Sequence, residues 1–218
     1  MQETILFEPH KTVALSKFHP ELRFEFPDLP EALFNFALLR AARTLATDGK
    51  VIRRRVTVYP YPNVETYKLQ SHDGMEICAI LGIRALMADN STRWIPRTFD
   101  TPDTLCECSR DMAWYDDMAE ELHIRQKCGC RGVYFVSTAV RPADDACELP
   151  AEFYSEHLDL LLLGAKSRIL RMNNKPWTNL QLATLYEKGF YDGIATAAVD
   201  AHTHLQNGKI KMQFGRII

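Results

Sequence analysis

"GAKSRILRMNNKPWTN", residues 164–179, is the stretch whose reading decides the fold. A helical run stops at Asn173 and Asn174, Pro176 forbids its continuation, and Thr178 is suited to cap a new helix. Upstream, "LPAEFYSEHLDLLLLGAKSRILRMN" keeps Tyr154, Leu158, Leu161, Ala165, Ile169 and Met172 near one face. The apolar arc is wide, which predicts burial on more than one side. Downstream, Ala183, Tyr186, Phe190, Ile194, Ala197, Ala201 and Leu205 fall in helical register. Gly189, Gly193, Ala195 and Ala198 are small enough to let helices approach closely. The expectation is a helical hairpin over 149–206, packed through Leu158, Leu161, Ala165, Ile169, Tyr186, Phe190 and Ile194, with Trp177 plugging its end.

Working outward, "DLPEALFNFALLRAARTLATDG" predicts a first helix over 28–49. Asp28 and Glu31 form a capping box, and Leu33, Ala37, Leu38, Ala41 and Leu45 share a face. Arg40 and Arg43 lie off that stripe and read as solvated charges. Residues 1–27, broken by Pro20 and Pro27, show no clear period and read as an N-terminal arm. Between the helical stretches the period drops to two. Strands are expected around Arg55–Tyr59, along "MEICAILGIRALMAD", in "RWIPRTF" and in "GVYFVSTAVRP", with a hairpin turning near Asp116 and Asp117. The expected fold is therefore α+β. A helical bundle (28–49 and 149–206) with a long C-terminal helical hairpin carries an inserted antiparallel β region (50–148).

In the last segment, 207–218, Ile210, Met212 and Phe214 alternate with Lys209, Lys211 and Gln213. With Ile217 and Ile218 they make a strand-like apolar tail. It reads either as a last strand of the protein's own sheet or as a segment that adds to a neighbour.

The 218 residues are 46% hydrophobic and 25% charged, with a net charge of −2. A strongly basic nucleic-acid reader is thereby disfavoured, because neutralising phosphates takes an excess of Lys and Arg. The longest apolar runs fall short of the roughly 18 residues that span a bilayer. "MQETILFEPHK" has no apolar signal core, so the chain reads as one that stays in the cytoplasm where it is made, away from membranes.

Reactive motifs are few. No dinucleotide, phosphate-loop, zinc-protease or serine-hydrolase signature occurs. Ser71, His72 and Asp73 are adjacent and cannot converge as a triad. His202 and His204 are two apart on a helix and do not share a face. Cysteines are the exception. If the central hairpin pairs so that partner numbers total 236, Cys106 faces Cys130 and Cys108 faces Cys128. Four thiols would then meet at one end, as a tetrahedral zinc site needs. CxC spacing is weak for zinc, and oxidised pairs or reduced packing thiols are the alternatives; no other cofactor is expected. Cys78 and Cys147 read as plain core or loop residues.

Taken in order, "AVRPADDACELP", "GAKSRIL", "NKPWTN" and "YEKGFYDGIATA", together with the first helix, resemble the head-to-tail adaptor proteins of tailed bacteriophages, also called connector, gateway or tail-tubular proteins. The resemblance covers about 60% of the chain and lies in packing motifs. It implies a non-enzymatic structural protein of the virion neck, with about twelve copies closing a ring. The ring would sit beneath the portal protein, meet downstream tail or nozzle proteins, and let genomic DNA pass through its lumen. The tail carrying Ile210, Met212, Phe214, Ile217 and Ile218 would clasp the portal. Competing readings are another neck or tail component, such as a tail terminator, collar or head-completion protein, and a small zinc-containing binding module.

Overall fold

Runs of β-branched residues with period two form the centre of the molecule in a computed structural model, which describes residues 5–7, 10–59, 64–69, 74–86, 92–95, 112–116, 120–125 and 133–206. In chain order come β1 (Ile5–Phe7), β2 (Thr12–Ala14), a 3-10 turn (Leu15–Phe18), α1 (His19–Arg23) and α2 (Glu31–Gly49). Then follow β3 (Arg53–Val58), β4 (Thr66–Lys68), β5 (Met75–Leu86), β6 (Thr92–Ile95), β7 (Met112–Asp116), β8 (Glu121–Arg125) and β9 (Val133–Pro142). The chain continues through β10 (Glu148–Pro150), α3 (Ala151–Ser155), α4 (Leu158–Leu170) and α5 (Leu180–Gln206).

Three antiparallel sheets result. The largest has the order β1-β3-β9-β5-β6, β4-β8-β7 make the second, and β2 pairs with β10. Two cores divide the apolar residues. Val56, Ile83, Tyr134 and Val136 of the large sheet meet Tyr67, Leu122 and Ile124 of the three-stranded sheet. The opposite end of the large sheet, at Met75 and Val140, joins the helices in the other core. Register slips in β5, between Ile77 and Ala79 and between Ile80 and Gly82, add local twist where the sheet passes from one core to the other.

The expected helical bundle with a long C-terminal hairpin is not what the chain adopts. The molecule is a mixed α and β structure in which ten strands in three antiparallel sheets stand beside five α-helices among the described residues. The single helix expected upstream of Asn173 is cut into β10, the five-residue α3 and the thirteen-residue α4. The reason is local. Leu149 precedes Pro150, which biases it away from helical angles and toward a strand; it sits opposite Val13 in β2. Glu156 and His157 then leave the helical region (φ −120° and −126°), and this break separates α3, which buries Phe153, from α4, which buries Leu161. The pairing of α4 with α5 is antiparallel but unequal, thirteen residues against 27.

The N-terminal stretch is no free arm. Leu15, Phe18, Leu22, Phe26 and Leu29 are all buried in the helical core. Nor does Asp28 cap the first helix: Pro30 occupies the cap position without a side-chain bond, as proline at a helix start allows. His19, buried, approaches Asn35 Oδ1 at 2.7 Å and ties α1 to α2 instead. At the other end Lys50 adopts a left-handed φ of 50° and its N–H bonds to the Ala46 carbonyl.

The turn into α5 differs by one residue from its expectation. Asn179 Oδ1 accepts the Leu182 N–H at 3.1 Å and is the cap. Thr178 closes the turn itself, accepting the Lys175 N–H and donating to the Met172 carbonyl. Asn174 takes a left-handed φ of 56°. Close contact between α4 and α5 depends on glycine. A Cβ on Gly164 would lie 2.7 to 2.9 Å from three atoms of the buried Phe190 ring. Gly164→Ala is expected to destabilise the protein by about 1–2 kcal/mol, because overpacking outweighs alanine's better helix propensity. A denaturant melt with an unchanged slope checks it.

Candidate assembly surfaces

The residues expected to pack the helices do converge. Leu161, Ala165 and Ile169 of α4 and Phe190 and Ile194 of α5 are buried, with Leu158, Tyr186 and Trp177 half-buried against the same core. The Trp177 Nε1–H is buried with no hydrogen-bond partner among the described residues. Gly193 receives the Leu160 side chain, and Gly189 lies against Leu163. Two other expectations, the tail residues Ile210, Met212, Phe214, Ile217 and Ile218 and the thiols Cys106, Cys108, Cys128 and Cys130, lie outside the described residues.

The expected zinc site also needs a particular strand register. In β7 and β8, Met112 sits opposite Arg125, so partner numbers total 237 and not 236. A one-residue shift exchanges which side chains stand opposite one another, so the alignment of Cys106 with Cys130 and Cys108 with Cys128 does not follow from this hairpin. Among the described residues no group of three or more His, Cys, Asp or Glu is arranged to hold a metal. Cys78 is half-buried, its Sγ directed at the Ala139 carbonyl, and Cys147 is exposed.

Arg43, read from the sequence as a solvated helix charge, is an anchor. Its side chain is only 12% exposed, and it reaches Glu76 Oε2 at 3.2 Å, Asp144 Oδ1 at 3.2 Å and the Pro142 carbonyl. Glu76 also accepts from Arg141 Nε at 2.8 Å. This network ties α2 to the ends of β5 and β9. A second tie runs from Arg54 in β3 to Glu152 in α3 at 2.7 Å. Burial raises the Glu152 carboxyl, but the Arg54 hydrogen bond and charge prevail and hold it below its usual range.

Three outer surfaces stand out among the described residues. Along α5, Leu185 and Val199 are exposed on the side away from Ala183, Phe190 and Ile194, and Leu180 and Tyr191 are exposed on its flank. On α2 and α4, Phe36, Arg40, Arg168 and Arg171 surround a shallow basic cleft. Arg168 donates to the Gly164 carbonyl and to Thr44 Oγ1, and Arg171 is held by Glu187. Burial lowers the Arg168 guanidinium from its ordinary value. The third surface is a groove beside the C-terminal half of α5, at the α3–α4 corner. No helix among the described residues is long and apolar enough to cross a membrane.

Two histidines set a pH dependence. Burial lowers His157, at the start of α4, against the pull of Glu156 and Glu152. Burial likewise lowers His123, stacked on Trp114 at 3.6 Å, against Glu121 and Asp116. The unfolded chain therefore takes up these protons first as pH falls. Their contribution is complete above the ordinary histidine range of about 6.5 and declines below it. Thermal melts from pH 7.5 to 5 are expected to show falling stability, and His157→Gln with His123→Gln should flatten the profile.

Sequence reading missed Gly164 as a packing position and Arg43 as a buried ion pair. Gly164 carried a usable signal, a lone glycine inside an apolar helix, which marks close approach. In comparisons with known proteins, the chain matches no family model and no curated protein.

Proposed function

We propose that this chain is a virion structural protein, a ring-forming head-to-tail adaptor in the neck of a tailed bacteriophage. Its copies dock beneath the portal protein, meet downstream tail or nozzle proteins, and leave a lumen through which genomic DNA passes without sequence recognition.

The observation that carries this reading is the outer face of α5. Leu185 and Val199 are 63% and 64% exposed on the side of a 27-residue helix that faces away from its buried residues. Large apolar side chains repeated along one exposed helix face suit a contact with another protein surface. Phe24 and Phe36 are exposed on different elements. Ring closure takes heterologous contacts between unlike faces of one subunit, and these surfaces supply unlike faces. A net charge of −2 suits a lumen that does not grip passing phosphates. The ordered motifs "AVRPADDACELP", "GAKSRIL", "NKPWTN" and "YEKGFYDGIATA" support the same reading.

The purified protein is expected to be monomeric or weakly associated, closing its ring on the portal. Deleting residues 208–218 is expected to leave the melting transition in place and to abolish portal attachment in a pull-down. Attachment unchanged by the deletion removes the tail as the docking element. A stable small dimer with stoichiometric zinc would replace this reading with that of a zinc-containing binding module.

A further inference from the structure

Two surfaces near opposite ends of α4 are complementary in shape and charge. The first is the groove of about 900 Å³ beside the C-terminal half of α5. Half-buried Leu158, Leu160 and Leu163 of α4 line one wall, and Ala197 and Ala201 of α5 the other. The Leu160 and Leu163 side chains cover Gly193 and Gly189, so the lining is aliphatic. Exposed Glu156, Asp159 and Asp200 stand along it against one cation, Arg53.

The second surface is a ridge at Phe36 in α2. Its ring is 52% exposed and borders two clefts, one shared with Thr44, Arg168 and Met172, the other with Asn35, Leu39 and Cys147. It stands between them as a knob. The Arg40 guanidinium packs over this ring at 5.7 Å. Arg40 is 55% exposed, and its acidic neighbour Asp144, 3.7 Å away, is held closer by Arg43 at 3.2 Å. Arg168 bonds to the Gly164 carbonyl and to Thr44 Oγ1, neither of them a carboxylate. The ridge therefore carries positive charge that its neighbours only partly offset.

We infer that the groove seats Phe36 of a second copy of this chain, with that copy's Arg40 and Arg168 facing Glu156, Asp159 and Asp200. The inference rests on the ring reading and deepens it by naming the two unlike faces that meet. An aromatic ring beside arginine is the commonest kind of anchor at the centre of a protein contact, and an aliphatic hollow suits it. The charges around both fix orientation. A patch paired with itself would set acid against acid or arginine against arginine, so the contact is head-to-tail. Asp159 and Arg171 are twelve residues apart on α4, about 18 Å at the helical rise, so each copy can offer its ridge to one neighbour and its groove to another. Thr196 extends the groove lining toward Val199, one turn on, so a seated copy also covers that exposed part of α5.

Sedimentation velocity of the full chain over a concentration series tests the contact. The parent is expected to associate weakly at its highest concentrations, and Phe36→Ala to weaken that association by about tenfold, as loss of an interface anchor does. Arg40→Glu, and separately Asp159→Lys with Asp200→Lys, should each abolish association while the melting transition stays in place. Each of these two proteins keeps one native face, so an equimolar mixture should form a dimer that neither forms alone. A parent that stays monomeric at every soluble concentration overturns the inference. So does association unchanged by Phe36→Ala, or a mixture that stays monomeric. Association that survives Asp159→Lys with Asp200→Lys would give the groove to another occupant and also sink the contact. None of these readouts involves the portal. A closed ring on the portal with Phe36 open to solvent would remove this contact and leave the ring reading standing.

Discussion

Leu161→Asp is expected to leave no cooperative unfolding transition at 25 °C. Leu161 lies in α4, fully buried in the core that α4 shares with α2 and α5. An ionised carboxylate there would sit among the apolar side chains of that core and would cost several kcal/mol even after relaxation. Losing the leucine adds the cavity and transfer terms of a large-to-small change, about 2–5 kcal/mol when the replacement is alanine. Against a total stability of about 5–15 kcal/mol the sum removes most or all of it. Leu161→Ala serves as the control, shifting the midpoint while retaining a transition. Circular dichroism in urea separates the outcomes. A Leu161→Asp protein that melts like the parent would mean that this position is open to water.

Glu76→Ala is expected to cost about 1–3 kcal/mol, between the values for exposed and for fully buried ion pairs, because its side chain is 29% exposed. Glu76 accepts from both Arg43 and Arg141. Arg43, 12% exposed, would keep Asp144 and the Pro142 carbonyl, which holds the effect below the cost of leaving a buried charge unpaired. Glu76→Gln keeps the acceptor and should cost less. If the two variants are equally mild, the network contributes geometry but little stability.

Much of the secondary structure was legible. Periodicity located α2, α5, β3, β5 and β9, because each has one face committed to a core and the residue pattern records it. What failed were decisions made between elements. Leu149 and Phe153 satisfied a helical stripe, yet Pro150 and the pairing with β2 turned the stretch into a strand and a short helix. That tertiary choice cut the first arm of the expected long hairpin into β10, α3 and α4. The N-terminal core residues Leu15, Phe18, Leu22, Phe26 and Leu29 do follow helical spacing, but the elements there are short and broken by proline. Arg43 looked solvated because its partners Glu76 and Asp144 are distant in sequence.

The same limit applies to the surfaces. The buried face of α5 could be read from Ala183, Phe190 and Ile194, whereas the exposed positions of Leu185 and Val199 followed only once the helix had been set against α4. The cysteine alignment shows how sharp such dependence is. The expected pairing took partner numbers that total 236, and in β7 and β8 they total 237.

Electron microscopy of the purified protein mixed with its portal tests the central claim most directly. The account predicts a closed ring of copies seated on the portal, with Leu185 and Val199 of α5 covered by a neighbouring subunit. Portal particles that stay bare at saturating protein, or rings in which the outer face of α5 remains open to solvent, would contradict it.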